Sequence, residues 1–199
     1  TTWCPYCLRQ TPVLVAAAAL RASEARLAAE AAALTRLNQA SSHLWRIQNL
    51  RDGLDEMLAV TIELLGADKG NIQLLEAERE VLVIAAQRGF SQPFLDYFHE
   101  VSTQENSACG RALRSGRRII IEDVETDEPY TLLRPVAREA GYRAVQSTPL
   151  IGRDGVPLGM ISTHFRVPHR PIEHELRLLD LYARQAADFI ERCRLDEAL

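Results

Sequence analysis

The segment from Ser107 to Phe165 limits the fold of this chain more than any other: SACGRALRSGRRIIIEDVETDEPYTLLRPVAREAGYRAVQSTPLIGRDGVPLGMISTHF. Its glycines act as punctuation. Ser107–Ser115 reads as a short helix closed by Gly116, and the apolar run Arg118–Glu122 follows as a strand. An acidic turn comes next, then a helix over Leu133–Ala140 that stops at Gly141. Two apolar runs, Ala144–Ile151 and Pro157–Phe165, flank Gly152-Arg153-Asp154-Gly155 as a hairpin. Strands met in hairpin order imply a mainly antiparallel sheet with helices laid against it.

The N-terminal part follows another pattern. Ala16–Ala33 is rich in Ala, Arg, Glu and Leu, strong helix formers, and lacks Gly and Pro. Leu20, Leu27 and Leu34 recur every seven residues, and Leu37 and Leu44 extend a neighbouring stripe. The intervening heptad positions hold Ser23 and Glu30, which weaken the seam. The pattern predicts one long helix from Pro12 to Asn49, paired with the same helix of a second chain. Asp52 is expected to cap the next helix, with Leu54, Met57, Leu58, Ile62 and Leu65 on one face. Strands are expected at Asn71–Leu75 and Val81–Gln87, a short helix capped by Ser91, and a closing helix from Pro171. Leu176, Leu179, Ala183, Ala186, Ala187 and Ile190 share one face of that last helix. The expected class is α+β, a five- to six-stranded sheet preceded by a long helix. Residues 1–11 are assigned to a tail, 12–49 to the helix and 50–195 to the sheet domain.

Composition narrows the function classes. The chain has 199 residues, 47% hydrophobic and 25% charged, enough apolar matter for one packed domain plus an extra segment. A net charge of −4 argues against nucleic acid as a partner and against a polybasic membrane anchor. The apolar run Val13–Leu20 falls far short of the roughly 20 residues that span a bilayer. The start, Thr1, fits a piece of a longer protein and shows no signal-peptide pattern. Four scattered cysteines do not make a disulfide framework, so a reducing cytoplasm is the expected location.

The chemical motifs are incomplete. Trp3-Cys4-Pro5-Tyr6-Cys7 resembles the active site of glutaredoxins, whose first thiol is activated at a helix N-terminus. The strand before it and the cis-Pro loop of that family are missing, and two cysteines are half a zinc site, so the motif is read as a terminal tail. His174-Glu175-Leu176-Arg177 resembles the start of a histidine-kinase phosphoacceptor box, but no Gly-rich nucleotide loop accompanies it. Glu122-Asp123 and Asp127-Glu128 sit in a turn with no nucleophile placed beside them, and read as solvated. No metal site is expected.

Several strings in fixed order carry a family resemblance: ADKGNIQLL (67–75), LVIAAQRGF (82–90), SACGRAL (107–113), IIIEDV (119–124), AGYRAVQSTPLI (140–151) and PLGMISTHF (157–165). From Leu50 to Arg192 the chain resembles a GAF domain, most closely those of bacterial sensor histidine kinases and other multi-domain signalling proteins. The resemblance implies a cytoplasmic homodimer, a small-molecule ligand under helices on one sheet face, and an output domain in the parent chain, such as the kinase of a two-component system. It does not name the ligand. Bilin attachment in the family uses a Cys-His pair, whereas Cys109 precedes Gly110; the cyclic-nucleotide signature and a haem ligand are also absent. Ligand-binding candidates are Cys109, Tyr130, Tyr142, Gln146, Ser162 and His164.

Cys109 also raises an enzymatic alternative. The free methionine-(R)-sulfoxide reductases resemble this chain around Cys109-Gly110 and the strand after it. Their chemistry needs a nucleophilic thiolate and further cysteines to resolve the sulfenic intermediate. The segment Pro129–Ala137, where another would fall, holds none. The expectation is therefore a sensory module, with a thiol enzyme or a ligand-free dimerisation module as the alternatives.

Overall fold

The structure, a computed structural model, describes residues 5–44, 46–47 and 49–197. Side chains of the first helix are described chiefly over residues 14–28. The chain divides between Gln39 and Ala40 into two compact units. The first is most of helix α1, Pro5–Leu44. This helix starts before the expected Pro12, because Pro5 suits a helix N-terminus equally well and local sequence does not choose between the two. It stops at Leu44, short of Asn49, because Asn49 caps the next helix instead. Leu20 and Leu27 are exposed on α1, and the side chains of Leu34, Leu37 and Leu44 lie outside the described residues.

The second unit begins with α2, Leu50–Leu65. Asn49, not Asp52, is the cap: its Oδ1 accepts from the N–H groups of Arg51 at 2.8 Å and Asp52 at 3.2 Å. Asp52 sits in the first turn, where a carboxylate favours the positive end of the helix. Gly66 ends the helix at φ 60, a left-handed turn that glycine adopts without steric cost.

Six strands form one sheet: β1 Lys69–Glu76, β2 Val81–Arg88, β3 Glu100–Ser102, β4 Ile119–Ile121, β5 Ala144–Ile151 and β6 Pro157–Phe165. Their order is β3-β2-β1-β6-β5-β4, and every neighbouring pair is antiparallel. β3 was not expected, since a three-residue edge strand is too short to show an alternating pattern. β1 and β6, the first and last strands of the unit, pair at the centre, so both of their faces are covered.

One face is covered by two long helices, α2 and the closing α6, Glu173–Glu197. Leu54, Met57 and Leu58 of α2, with Leu179, Tyr182, Ala186 and Ile190 of α6, are buried there. α6 starts two residues after Pro171, where the N–H of Ile172 donates to Glu175 Oε2 at 2.8 Å and fixes the first turn. The other face carries three short helices: α3 Gln92–Tyr97, α4 Ala108–Ser115 and α5 Arg134–Ala140. Ser91 precedes α3 as expected, though its side chain makes no capping bond. The chain passes from the β3 edge to the β4 edge by way of α4, which packs on β5 and β6.

The candidate ligand cavity

Strand alternation decides which side chains look at the short helices. On β6 they are Met160, Ser162 and His164; on β5, Val145 and Ser147; on β1, Asn71 and Gln73. Register brings them together: Asn71 pairs with Ser162, Ser162 with Ser147, and His164 with Val145. Opposite this floor stand Phe94 and Phe98 from the α3 segment, Ser107, Ala108 and Cys109 from α4, and Tyr130 and Tyr142 from around α5. The space enclosed is about 10 Å³, room for roughly one water molecule.

Five expected residues, Cys109, Tyr130, Tyr142, Ser162 and His164, line this cavity. Gln146 does not. It lies between Val145 and Ser147 on β5, so its side chain points to the opposite face, beside Thr163. Asn71, Gln73 and Ser147 were not singled out from the sequence. The signal was present in Asn71-Ile72-Gln73, a polar alternation inside an apolar strand. Taken locally, that alternation describes a strand with one wet face. Only the placement of β1 at the sheet centre makes those two amides buried.

Each wall is fixed by its own local bonds. Ser107 Oγ accepts from the Gly110 N–H at 3.1 Å, capping α4, and lies 3.4 Å from Cys109 Sγ. Gly110 allows α4 to approach the carbonyls of Ser102 and Glu105 more closely than a Cβ would permit. The acidic turn is less solvated than expected. Asp123 takes two bonds from Arg143 at 2.6 and 3.0 Å, and Asp127 accepts from Arg111 at 2.9 Å and from the Tyr130 N–H at 3.1 Å. Arg143 accordingly holds the Asp123 carboxyl below its usual range. These bonds seat Tyr130, whose hydroxyl meets that of Tyr142 at 2.8 Å.

The cavity is uncharged at neutral pH. Burial, helped by the positive charge of Lys69, pushes His164 down to about 3, so its imidazole is neutral. Burial pushes the Cys109 thiol up to about 11 and raises both tyrosines. No Asp, Glu, Lys or Arg lines the space. His164 is caged edge-on by Tyr142 at 4.7 Å, Phe90 at 4.9 Å and Phe94 at 5.9 Å between ring centres.

Polar satisfaction is uneven around the cavity. The Ser147 and Ser162 hydroxyls bond each other at 2.7 Å, and the two tyrosines do the same. Asn71 Oδ1, Gln73 Oε1, Gln73 Nε2 and His164 Nδ1 are buried with no partner. Native proteins leave few such groups, and each calls for an explanation.

The other motifs lie elsewhere. His174 is partly buried in the first turn of α6. Cys4 lies outside the described residues, as does the side chain of Cys7. Among the described residues no three His, Cys, Asp or Glu side chains gather as a metal site, and no helix is long and apolar enough to cross a membrane.

Comparison with known proteins points one way. A family model described as GAF domain matches residues 48–191. The Methyl sulfide methyltransferase-associated sensor of Methanosarcina acetivorans is 25% identical over 151 residues, 73% of this chain. The chain spans 15% of that relative's length. The GAF domain of a phosphoenolpyruvate-protein phosphotransferase from Coxiella burnetii superposes with a TM-score of 0.72 at 21% identity, covering 84% of this chain and 97% of that one. A free methionine-R-sulfoxide reductase from Neisseria meningitidis, solved with its substrate, gives 0.69 at 18% identity, covering 84% and 93%.

Proposed function

This chain belongs to the GAF domain family, and we propose that it is a sensory module whose cavity takes a small molecule and whose helices pass the signal on. One observation carries the proposal: four buried polar atoms of Asn71, Gln73 and His164 converge on the cavity without partners. Leaving them so costs about 1–3 kcal/mol each, which a ligand or water would recover. A sensor-named relative supports the same role.

The relay is a population shift. The strands that hold the cavity on one face carry α2 and α6 on the other, so a ligand that tightens β1, β5 and β6 biases how those helices pack. We read α1 as the element that pairs with a second copy and carries the bias to an output, such as a histidine kinase, elsewhere in a longer cytoplasmic protein. Exposed Leu20 and Leu27, one heptad apart, support pairing. Light scattering tests it: Leu20→Glu with Leu27→Glu should halve the mass at micromolar concentration, and a monomeric parent would end the dimer proposal.

Thiol catalysis is the weaker reading. It needs a thiolate, and Cys109 is buried and held protonated. Cys193, the other cysteine buried among the described residues, sits on α6. Native mass spectrometry of the protein as purified is the direct test of sensing. A non-covalent adduct that disappears in Asn71→Leu/Gln73→Leu supports it; turnover of methionine sulfoxide abolished by Cys109→Ser would replace it with the reductase reading.

A further inference from the structure

The wall chemistry narrows the ligand, an inference that rests on the reading of the cavity as a ligand site. We propose that the cavity takes a small, uncharged, planar molecule whose edge presents a hydrogen-bond donor beside an acceptor, as a carboxamide or lactam on a ring does.

Charge is the first constraint. A ligand ion buried here would meet no charged side chain in the lining, and desolvation would outweigh what neutral dipoles return. The titratable walls do not supply one. Cys109, Tyr130 and Tyr142 are protonated and neutral, and His164 would have to take up a proton against burial and the charge of Lys69. An amino-acid zwitterion would leave both of its charges unpaired.

Polar demand is the second. The serine pair and the tyrosine pair are already satisfied, so the unmet demand lies along β1 and at His164. Asn71 and Gln73 sit two residues apart on one strand face and present two carbonyl acceptors and one N–H donor. His164 Nδ1 donates or accepts according to tautomer. A ligand with acceptors alone leaves both amide oxygens orphaned, and one with donors alone leaves Gln73 Nε2 orphaned. A carboxamide or lactam edge serves both.

Shape is the third. Phe94 and Phe98 cover the cavity from the α3 segment, and Tyr142 also lines it, so the apolar part of the wall is aromatic and matches a ring. With about 10 Å³ open, a ring enters only as α3 moves outward. α3 is the shortest helix of the cover, six residues, and has no side-chain cap.

Titration calorimetry on the full chain with matched probes decides the matter. Nicotinamide and uracil carry the proposed edge; nicotinate and orotate have the same shapes with a negative charge; methionine sulfoxide is the zwitterion. The expected result is binding of at least one neutral ring, at least tenfold tighter than its acid, and at least tenfold weaker in a Gln73→Met variant that melts no lower than the parent. Equal or tighter binding of the acids, binding of methionine sulfoxide alone, or undiminished binding in a folded Gln73→Met overturns the ligand class while the sensory proposal stands. No binding by any probe, with water alone found in the cavity, overturns both.

Discussion

Along β5, Val145 and Ser147 turn toward the short helices while Gln146 turns toward α6; along β6, Ser162 and His164 oppose Thr163 and Phe165 in the same way. The same two strands thus serve two different covers. On one side lie α2 and α6, of 16 and 25 residues, packing through Leu, Met, Ala, Tyr and Phe. On the other lie three helices of 6, 8 and 7 residues, joined by loops held with Arg–carboxylate pairs. A long helix moves as one rod and transmits displacement, whereas a segmented cover opens piecewise and can admit a ligand. Polar groups follow the same division, though not perfectly. Gln146 Nε2, Thr163 Oγ1 and Tyr182 OH are also buried without partners, on the long-helix side.

The contrast predicts opposite responses to substitution. The largest loss should come from the long-helix side. Ile190, fully buried on α6, is expected to lose about 2–5 kcal/mol of stability as Ile190→Ala. Chemical denaturation measures this, and a loss below about 1 kcal/mol would mean that α6 is not the anchor.

Gly159 joins the two faces through the backbone. A Cβ there would collide with the Gln73 carbonyl, so β1 and β6 must part for Gly159→Ala. The cost is expected at about 1–3 kcal/mol, and amide exchange should speed up on β1 near Gln73. Unchanged exchange would show that the strands meet more loosely than described.

His164 gives the cavity side a pH signature. Its folded value of about 3 lies below its ordinary 6.5, so in that window the unfolded chain binds a proton that the folded chain refuses. Stability therefore falls as pH drops from about 6.5 toward 3. Between pH 6.5 and 5 the loss attributable to His164 is about 1–2 kcal/mol, above the range where carboxylates titrate. His164→Gln should remove that slope; a variant as acid-sensitive as the parent would place the proton elsewhere.

The smallest effect, of opposite sign, belongs to Gln73→Met. Removing two unpartnered polar atoms from a buried position should leave stability unchanged or raise it by up to about 1 kcal/mol. A marked loss would mean that Gln73 is a structural residue, and the contrast between the faces would disappear.

The strands β5 and β6 were legible to the residue, because alternating apolar runs on either side of a Gly-bounded turn leave one local solution. Helix starts were less so: Pro5 and Pro12 both suit a first turn, and Asn49 and Asp52 both suit a cap. His164 and Ser162 were placed together correctly by strand period, whereas Gln146 was misplaced because the period gives relative faces and not which face meets the cavity.

What the sequence determined by itself was the order and kind of the elements, since hydrophobic period, glycine stops and turn residues act over a few positions. The tertiary structure decided the burial of Asn71 and Gln73. They become interior only because the last strand, β6, returns to pair with the first, β1, across the 91 residues that separate Asn71 from its strand partner Ser162. Hydrogen-bond pairing at that distance leaves no local trace. The polar site that most sharply marks this domain is therefore a product of strand order, and is invisible to any window short of the whole sheet.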